Sequence, residues 1–567
     1  MPEETKTCQN CKTEFRIEPE DFAFYEKMRV PPPTFCPECR LQRRLAFYNE
    51  RILYKRNCDL CGKSMITMFA PEAPMPVYCN KCWWSDDWDP SSYWQDYDSS
   101  RPFLSQWYEL IRKTPHSALS VNYPTLINSD YLNHAGTAKN CYLIFHADYC
   151  ENVLYSSMLV HAKDSMDCTN LDTSELCYED TLCLKCSRVF FSDACRDCHD
   201  VYFSRNMSGC NNCFGCANLR NKQYYIFNEP YTKEAYHQKL KEFALDSYAS
   251  IEALKKQVRA FWLTQPYRFA QIFHSVNVSG DYITDSKNAK HMYQAGDAED
   301  SKYCQFLTLP TTKDSYDYTI WGNNAQRIYE CLIVGEGADA VRFSNQTVLH
   351  VSDIDYSFWV VGSSYMFGCA NIRKKQYCIL NKQYTKEDYE VLRAKIIEDM
   401  NRMPYTDAGG RIYRYGEFFP PEFSAHAYNE TQAMDYFPLT EEQARAQGFA
   451  WRTLPISASA VTLAAERMPD RLTDTPDTII NEILGCVQCQ RPYRIIPAEI
   501  ALLRRFGLPV PRRCFYCRHE DRIKNRINPP RLWQRVCGKC TILIETSYAP
   551  ERPEIVYCEQ CYQAEVL

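Results

Sequence analysis

The sequence predicts a mainly β chain: cysteine-rich modules in tandem at both ends, flanking a duplicated parallel β-solenoid (β-helix) with short capping helices. Three observations predict it. Eight C-x-x-C pairs sit four at each end of the 567 residues. Short extended units rich in aromatic and β-branched residues recur every 11 to 13 residues through the middle. The ending of one such run, "FGCANLRNKQYYIFNEPYTKEAY" at 214, returns at 367 with 16 of 23 positions identical.

The totals bound this reading. Single cores stop growing beyond roughly 250–300 residues, so a chain of this length holds several domains. Apolar content of 45% and charged content of 24% suit a folded protein. A net charge of −6 argues against polycation behaviour, and no apolar run approaches the ~20 residues of a membrane span. The start, "MPEETKTCQNC", lacks an apolar signal core, so a cytoplasmic location is expected. In that setting 31 cysteines point to metal ligation rather than disulfides.

The first module holds Cys8/Cys11, Cys36/Cys39, Cys58/Cys61 and Cys79/Cys82; the last holds Cys486/Cys489, Cys514/Cys517, Cys537/Cys540 and Cys558/Cys561. In both, 24 residues separate the first pair from the second and 17 the third from the fourth. Other residues recur with the cysteines: Arg40 and Arg44 return as Arg518 and Arg522, and "VYCNKC" at 77 as "VYCEQC" at 556. A C-x-x-C turn presents two thiolates to one ion, and two turns complete a tetrahedral site. Each module therefore reads as two zinc ribbons, with four structural Zn2+ expected in all. The spacing also allows Cys36/Cys39 to pair with Cys58/Cys61. The longer gap carries an amphipathic stretch, "EPEDFAFYEKM" or "IPAEIALLRRF", that reads as a helix.

The segment "CQNCKTEFRIEPEDFAFYEKMRVPPPTFCPECRLQRR" resembles the bacterial probable zinc-ribbon domain, with C-x-x-C-x3-F, then F-Y, then P-x-x-C-x-x-C-R, over residues 5 to 47. The copy at 483 to 526 departs from it, with Tyr493 in place of Phe15 and "ALLRR" in place of "AFYEK". The whole chain resembles multi-zinc-ribbon proteins of small-genome bacteria, which implies an architecture and no activity.

From 128 to 228 run units such as "NCYLIF", "DSMDCT", "ELCYED" and "DVYFSR"; a second array, with "DSYDYTIW" and "QRIYECLI", runs from 280 to 380. Polar turn residues separate them. Two strands per coil would make a coil of about 23 residues in a stacked solenoid. After each array "YTKE" opens a helical stretch, suited to covering the exposed last coil. The division is 1–88 double zinc-ribbon module, 89–127 aromatic and acidic connector and cap, 128–264 first array with terminal helix, 265–402 second array with terminal helix, 403–483 irregular connector, and 484–567 double zinc-ribbon module.

Eleven cysteines fall in the first array. Cys183, Cys186, Cys195 and Cys198 have the spacing of a further metal site, but cysteine recurring at the repeat period also suits a buried ladder of small side chains. The ladder is the expectation. The tryptophan-rich stretch after Cys82 is expected to dock its rings over the start of the solenoid.

Function is sought first in charge. Arg504, Arg505, Arg512, Arg513, Arg518, Arg522, Lys524, Arg526, Arg531 and Arg535 face only Glu520 and Asp521 in their own stretch, a composition that can hold phosphates. The competing reading is neutralisation of thiolate–metal clusters, each of net charge −2. Asp300, Asp314, Asp339 and Asp353 recur near the coil period and could line a carbohydrate-active face, though turns favour aspartate anyway. No nucleophile elbow or phosphate-binding glycine loop is present. The sequence therefore favours a non-enzymatic zinc scaffold or binding module whose ribbons contact nucleic acid or nucleoprotein. A protein-only assembly scaffold and a β-helix enzyme are the alternatives.

Overall fold

The computed structural model describes residues 2–453 and 459–566; positions 454–458 of the expected connector lie outside the described residues, as do positions 1 and 567. The architecture is mainly β, with parallel solenoid coils in the middle and cysteine clusters near both ends. No helix among the described residues is long and apolar enough to cross a membrane.

A coil of the first array takes 12 residues, about half the expected length. Phe145 pairs with Ser157, Ser157 with Thr169, and Thr169 with Thr181, all parallel. The cause is a backbone repeat of three. Tyr155, Met158, His161, Asp164 and Asp167 all hold left-handed conformations, with φ between 47° and 58°. The chain thus turns every three residues, and four short sides close one coil. Asparagine and aspartate tolerate this region best among side-chain-bearing residues. Asn128, Asn140, Asn152 and Asp164 occupy one such corner on successive coils, bonded in series at 3.1, 3.1 and 2.8 Å.

The inward set follows the same period. Leu159, Ala162, Cys168, Leu171, Cys177, Cys183, Cys186 and Val189 are buried, with Ser165, Ser174 and Asp180 in the same series. Backbone accounting explains why these residues are small and often polar. The residue after an inward position donates to the next coil, as Ser157 N does to Cys168 O, and the left-handed residue donates back, as Asp167 N does to Leu154 O. Where a serine stands one coil earlier, the inward residue's own N–H reaches its hydroxyl. Cys141, Cys168, Cys177 and Cys186 donate to the hydroxyls of Ser129, Ser156, Ser165 and Ser174 at 2.9, 2.9, 3.0 and 3.0 Å. A buried N–H left unpaired would be destabilising, so a small acceptor recurs there. Thiols turn back on the carbonyl two residues earlier, as Cys168 does on Met166 at 3.3 Å.

The second array varies this plan. Its coils start at 11 residues (Ile272 with Ile283), run at 12 (Gly280 with Met292), widen to 14 (Lys302 with Tyr316) and 13 (Tyr316 with Tyr329), and return to 12 (Ser364 with Gln376). The wide coils admit Tyr318 to the interior. Both arrays end alike: Asn228 accepts from Ala217 N at 2.9 Å, and Asn381 from Ala370 N at 2.8 Å. The helices Lys233–Glu242 and Lys386–Arg402 follow, N-capped by Thr232 and Thr385. They set Tyr236 and Tyr389 against Tyr224 and Tyr377 of the last strands.

The chain divides into two compact units that are discontinuous in sequence. Unit 1 is Met1–Leu119, Ala270–Arg452 and Pro529–Trp533; unit 2 is Ser120–Phe269, Thr453–Asn528 and Gln534–Leu567. The first cysteine module thus shares a unit with the second array, and the last module with the first array. The tryptophan-rich stretch also lies elsewhere than expected. In unit 1 it packs on the last coils of the second array, with Trp83 against Trp359, Phe103 against Phe367, and Pro90 O accepting from Asn381 at 3.2 Å. Gly368 makes this approach feasible, since a Cβ there would meet the Phe103 ring at 2.5 Å.

Candidate metal centres

Each module forms two cysteine quartets from pairs adjacent in sequence. The sulfurs of Cys8, Cys11, Cys36 and Cys39 lie within 4.8 Å of one another, as do those of Cys58, Cys61, Cys79 and Cys82. The same holds for Cys486, Cys489, Cys514 and Cys517, and for Cys537, Cys540, Cys558 and Cys561. Cys36/Cys39 therefore joins Cys8/Cys11 rather than Cys58/Cys61. In the first quartet one pair sits in the turn joining strands Glu4–Thr7 and Glu14–Ile17, and the other opens helix Pro37–Leu45 with Cys36 as its N-cap.

The geometry fits a metal ion. Cys11–Cys36 and Cys489–Cys514 sulfurs are 3.7 Å apart, Cys486–Cys517 and Cys540–Cys558 3.8 Å. Sulfurs about 2.3 Å from one tetrahedral ion are about 3.8 Å from each other, whereas a disulfide needs about 2.05 Å. One sulfur of each quartet also accepts a backbone N–H at 3.3 Å: Cys8 from Cys36, Cys58 from Cys79, Cys486 from Cys514, and Cys537 from Cys558. Such donors favour the thiolate. The N–H of Lys63 helps bring the Cys61 thiol down to about 7. Burial pushes Cys537 up, but the N–H groups of Cys540 and Cys558 outweigh it and leave that thiol at about 6. Each quartet therefore could hold one metal ion.

The helix that begins at the second pair also fastens the module to a solenoid array. In unit 1, Arg40 Nε donates to Asp317 Oδ2 at 2.9 Å, Arg44 Nη1 to Asp317 Oδ1 at 3.2 Å, and Arg44 Nε to Thr319 Oγ1 at 3.2 Å. In unit 2, Arg518 reaches Asp167 Oδ2 at 3.0 Å, Arg522 Nη1 donates to Asp167 Oδ1 at 3.1 Å, and Arg522 Nε to Thr169 Oγ1 at 3.3 Å. A further pair matches as well: Lys27 with Asp314 at 2.8 Å, Arg505 with Asp164 at 3.0 Å. Each module residue in unit 2 lies 478 positions after its counterpart, and each solenoid residue of the second array 150 after that of the first.

The ten basic residues of the last module are largely engaged by their own chain. Arg518 and Arg522 are buried on Asp167. Arg526 pairs with Asp193, Arg513 with Glu252, Arg512 with Asp470, and Arg504 with Asp477. Arg535 donates to the carbonyls of Ala549 and Glu554, Arg531 pairs with Glu38 in unit 1, and Lys524 is exposed.

Cys183, Cys186, Cys195 and Cys198 face the solenoid interior, where their thiols donate to the carbonyls of Thr181, Leu184, Asp193 and Arg196. Among the described residues the groups that gather as metal quartets are the four terminal ones. Of the carboxylates singled out as a catalytic alternative, Asp314 pairs with Lys27, Asp339 with Arg327, and Asp300 accepts from Asn288.

Sequence reasoning missed Asp167, Thr169, Asp317 and Thr319, the docking residues on the arrays. A signal for them existed: "DSMDCT" at 164 and "DSYDYT" at 314 share D-S-x-D-x-T, each followed by a Tyr-Glu at Tyr178–Glu179 and Tyr329–Glu330. No protein-family model matches the chain, and no curated protein matches it in sequence.

Proposed function

We propose that the chain is a non-enzymatic scaffold that carries four structural Zn2+ ions and offers the outer faces of its solenoid arrays to a protein partner. The duplicated arginine–aspartate docking carries this reading. The basic side chains that would otherwise suit a phosphate backbone neutralise solenoid carboxylates, and two of them are buried in doing so. All-thiolate tetrahedral donors suit Zn2+, and four of them leave no open coordination position, which supports a structural role.

Nucleic-acid contact is the second reading, favoured by the exposed Lys524 and the half-exposed Arg504, Arg505 and Arg531. One titration separates the two. Labelled RNA and DNA are mixed with the zinc-loaded full chain from about 50 to 300 mM salt. The scaffold reading expects no tight binding at low salt. Tight binding that weakens steeply with salt and is lost in Lys524→Ala would install the nucleic-acid reading in its place.

A further inference from the structure

In unit 1 the connector threads Gly416 and Glu417 against the first knuckle. Glu417 accepts from Thr34 N at 2.8 Å, Thr34 Oγ1 at 2.5 Å and Arg43 Nη2 at 3.2 Å. Gly416 lies so close to Pro31 that a Cβ would meet its ring at 2.4 Å. The residues 478 positions after Pro31, Thr34 and Arg43 are Pro509, Arg512 and Asp521. All three line a cavity of ≈ 40 Å³ in unit 2.

That cavity is short of hydrogen-bond acceptors. Arg518 Nε and Arg512 Nε lack a partner, although the Arg518 side chain is only 5% exposed. Arg513 reaches Glu252 and Asp521 only at 3.5 and 3.7 Å. Three carboxylates line the cavity as well, each with a closer partner: Glu179 and Glu252 have Lys255 at 2.7 and 3.4 Å, and Asp521 has Asn525 at 2.7 Å. In unit 1 the Glu417 carboxylate sits at the corresponding place, on Thr34 and Arg43; unit 2 has Arg512 and Asp521 at those two positions. Holding one water takes about 10–15 Å³ of such cavity space, so the cavity has room for a small polar group.

We propose that this cavity is a carboxylate-binding site, taking one carboxylate group between Arg512, Arg513 and Arg518, at the place that corresponds to that of Glu417 in unit 1. The proposal is independent of the scaffold reading. Paired guanidinium donors hold a carboxylate by charge-assisted hydrogen bonds, which gives both affinity and orientation.

The test uses the zinc-loaded full chain. ¹³C-formate is titrated by NMR, alongside the blocked peptide Tyr-Gly-Glu-Phe-Phe, which copies Tyr415 to Phe419, and the same peptide with Gln for Glu. Saturable formate binding, weakened roughly tenfold or more in Arg512→Gln and Arg513→Gln, is the expected result. Binding of the Glu peptide but neither the Gln peptide nor formate also supports the site and shows that its carboxylate arrives on a chain. The peptide comparison needs no variant, so it stands even if the substitutions perturb folding. The proposal is overturned if neither formate nor the Glu peptide binds saturably. It is equally overturned if folded variants bind as the parent does, or if the Glu and Gln peptides bind alike without formate binding.

Discussion

Arg522 Nη1 donates to Oδ1 of Asp167 at 3.1 Å, and both side chains are at most 2% exposed. The two residues are 355 positions apart. Asp167 also takes Arg518, so one carboxylate sits between two guanidiniums that burial would otherwise penalise. Removing one partner of such a set leaves an uncompensated buried charge, which typically costs about 3–5 kcal/mol. Asp167→Ala should therefore destabilise unit 2 by that order, read as a lowered urea midpoint. Asp317→Ala should do the same in unit 1, where it holds Arg40 and Arg44. A change below about 1 kcal/mol, the range of a surface pair, would refute buried docking.

Metal stoichiometry gives the second prediction. Four quartets imply four ions per chain, and metal analysis of the purified protein should return that number as zinc. Cys11→Ser or Cys540→Ser should lower it to three while the other quartets stay loaded, because no quartet shares a ligand with another. Chelation should also loosen the docking helices Pro37–Leu45 and Phe515–Arg526, which begin at the ligand pairs. Hydrogen exchange along those helices reads this out.

The solenoid interior makes a prediction in which two substitutions of one residue differ. Ser156 accepts from Cys168 N at 2.9 Å in a place without solvent. Ser156→Ala leaves that N–H without its acceptor and should cost about 1–3 kcal/mol. Ser156→Cys keeps an acceptor of similar size, as Cys216 does for Asn228 N at 3.5 Å, and should cost much less. Equal losses in denaturant melts would show that volume rather than the N–H decides.

Two buried histidines should make unit 1 sensitive to mild acid. His116 and His426 flank the Phe69 ring, and burial lowers their pKa to about 4 and about 3. An unfolded histidine titrates near 6.5. Below that pH the unfolded chain binds more protons than the folded one, so stability falls as pH drops from about 6.5 toward 4. His116→Gln with His426→Gln should flatten that slope in thermal melts between pH 7 and about 4.5.

The knuckles were legible because a C-x-x-C turn is a local device: a separation of three residues places both thiolates, and the 24- and 17-residue gaps recur in both modules. The stacking of coils was legible too, since a 12-residue recurrence of cysteine and aromatic residues aligns like with like. The coil's size was not. Left-handed corners at Tyr155, Met158 and Leu182 are unfavourable to those residue types locally. They are imposed by the parallel ladder and the inward N–H bonds, which no single unit can form alone.

By itself, then, the sequence determined the C-x-x-C pairs, the duplicated modules and the stacked β repeats, because each depends on residues close in the chain or one repeat apart; which pairs share a quartet was settled by the fold. Tertiary structure decided which module docks on which array. Arg44 and Arg522 carry the same chemistry, as do Asp317 and Asp167 with Thr319 and Thr169. Spacing offers no preference between them. The choice is made only when helix Pro37–Leu45 meets the second array and helix Phe515–Arg526 the first, and a carboxylate must be paired before it can be buried.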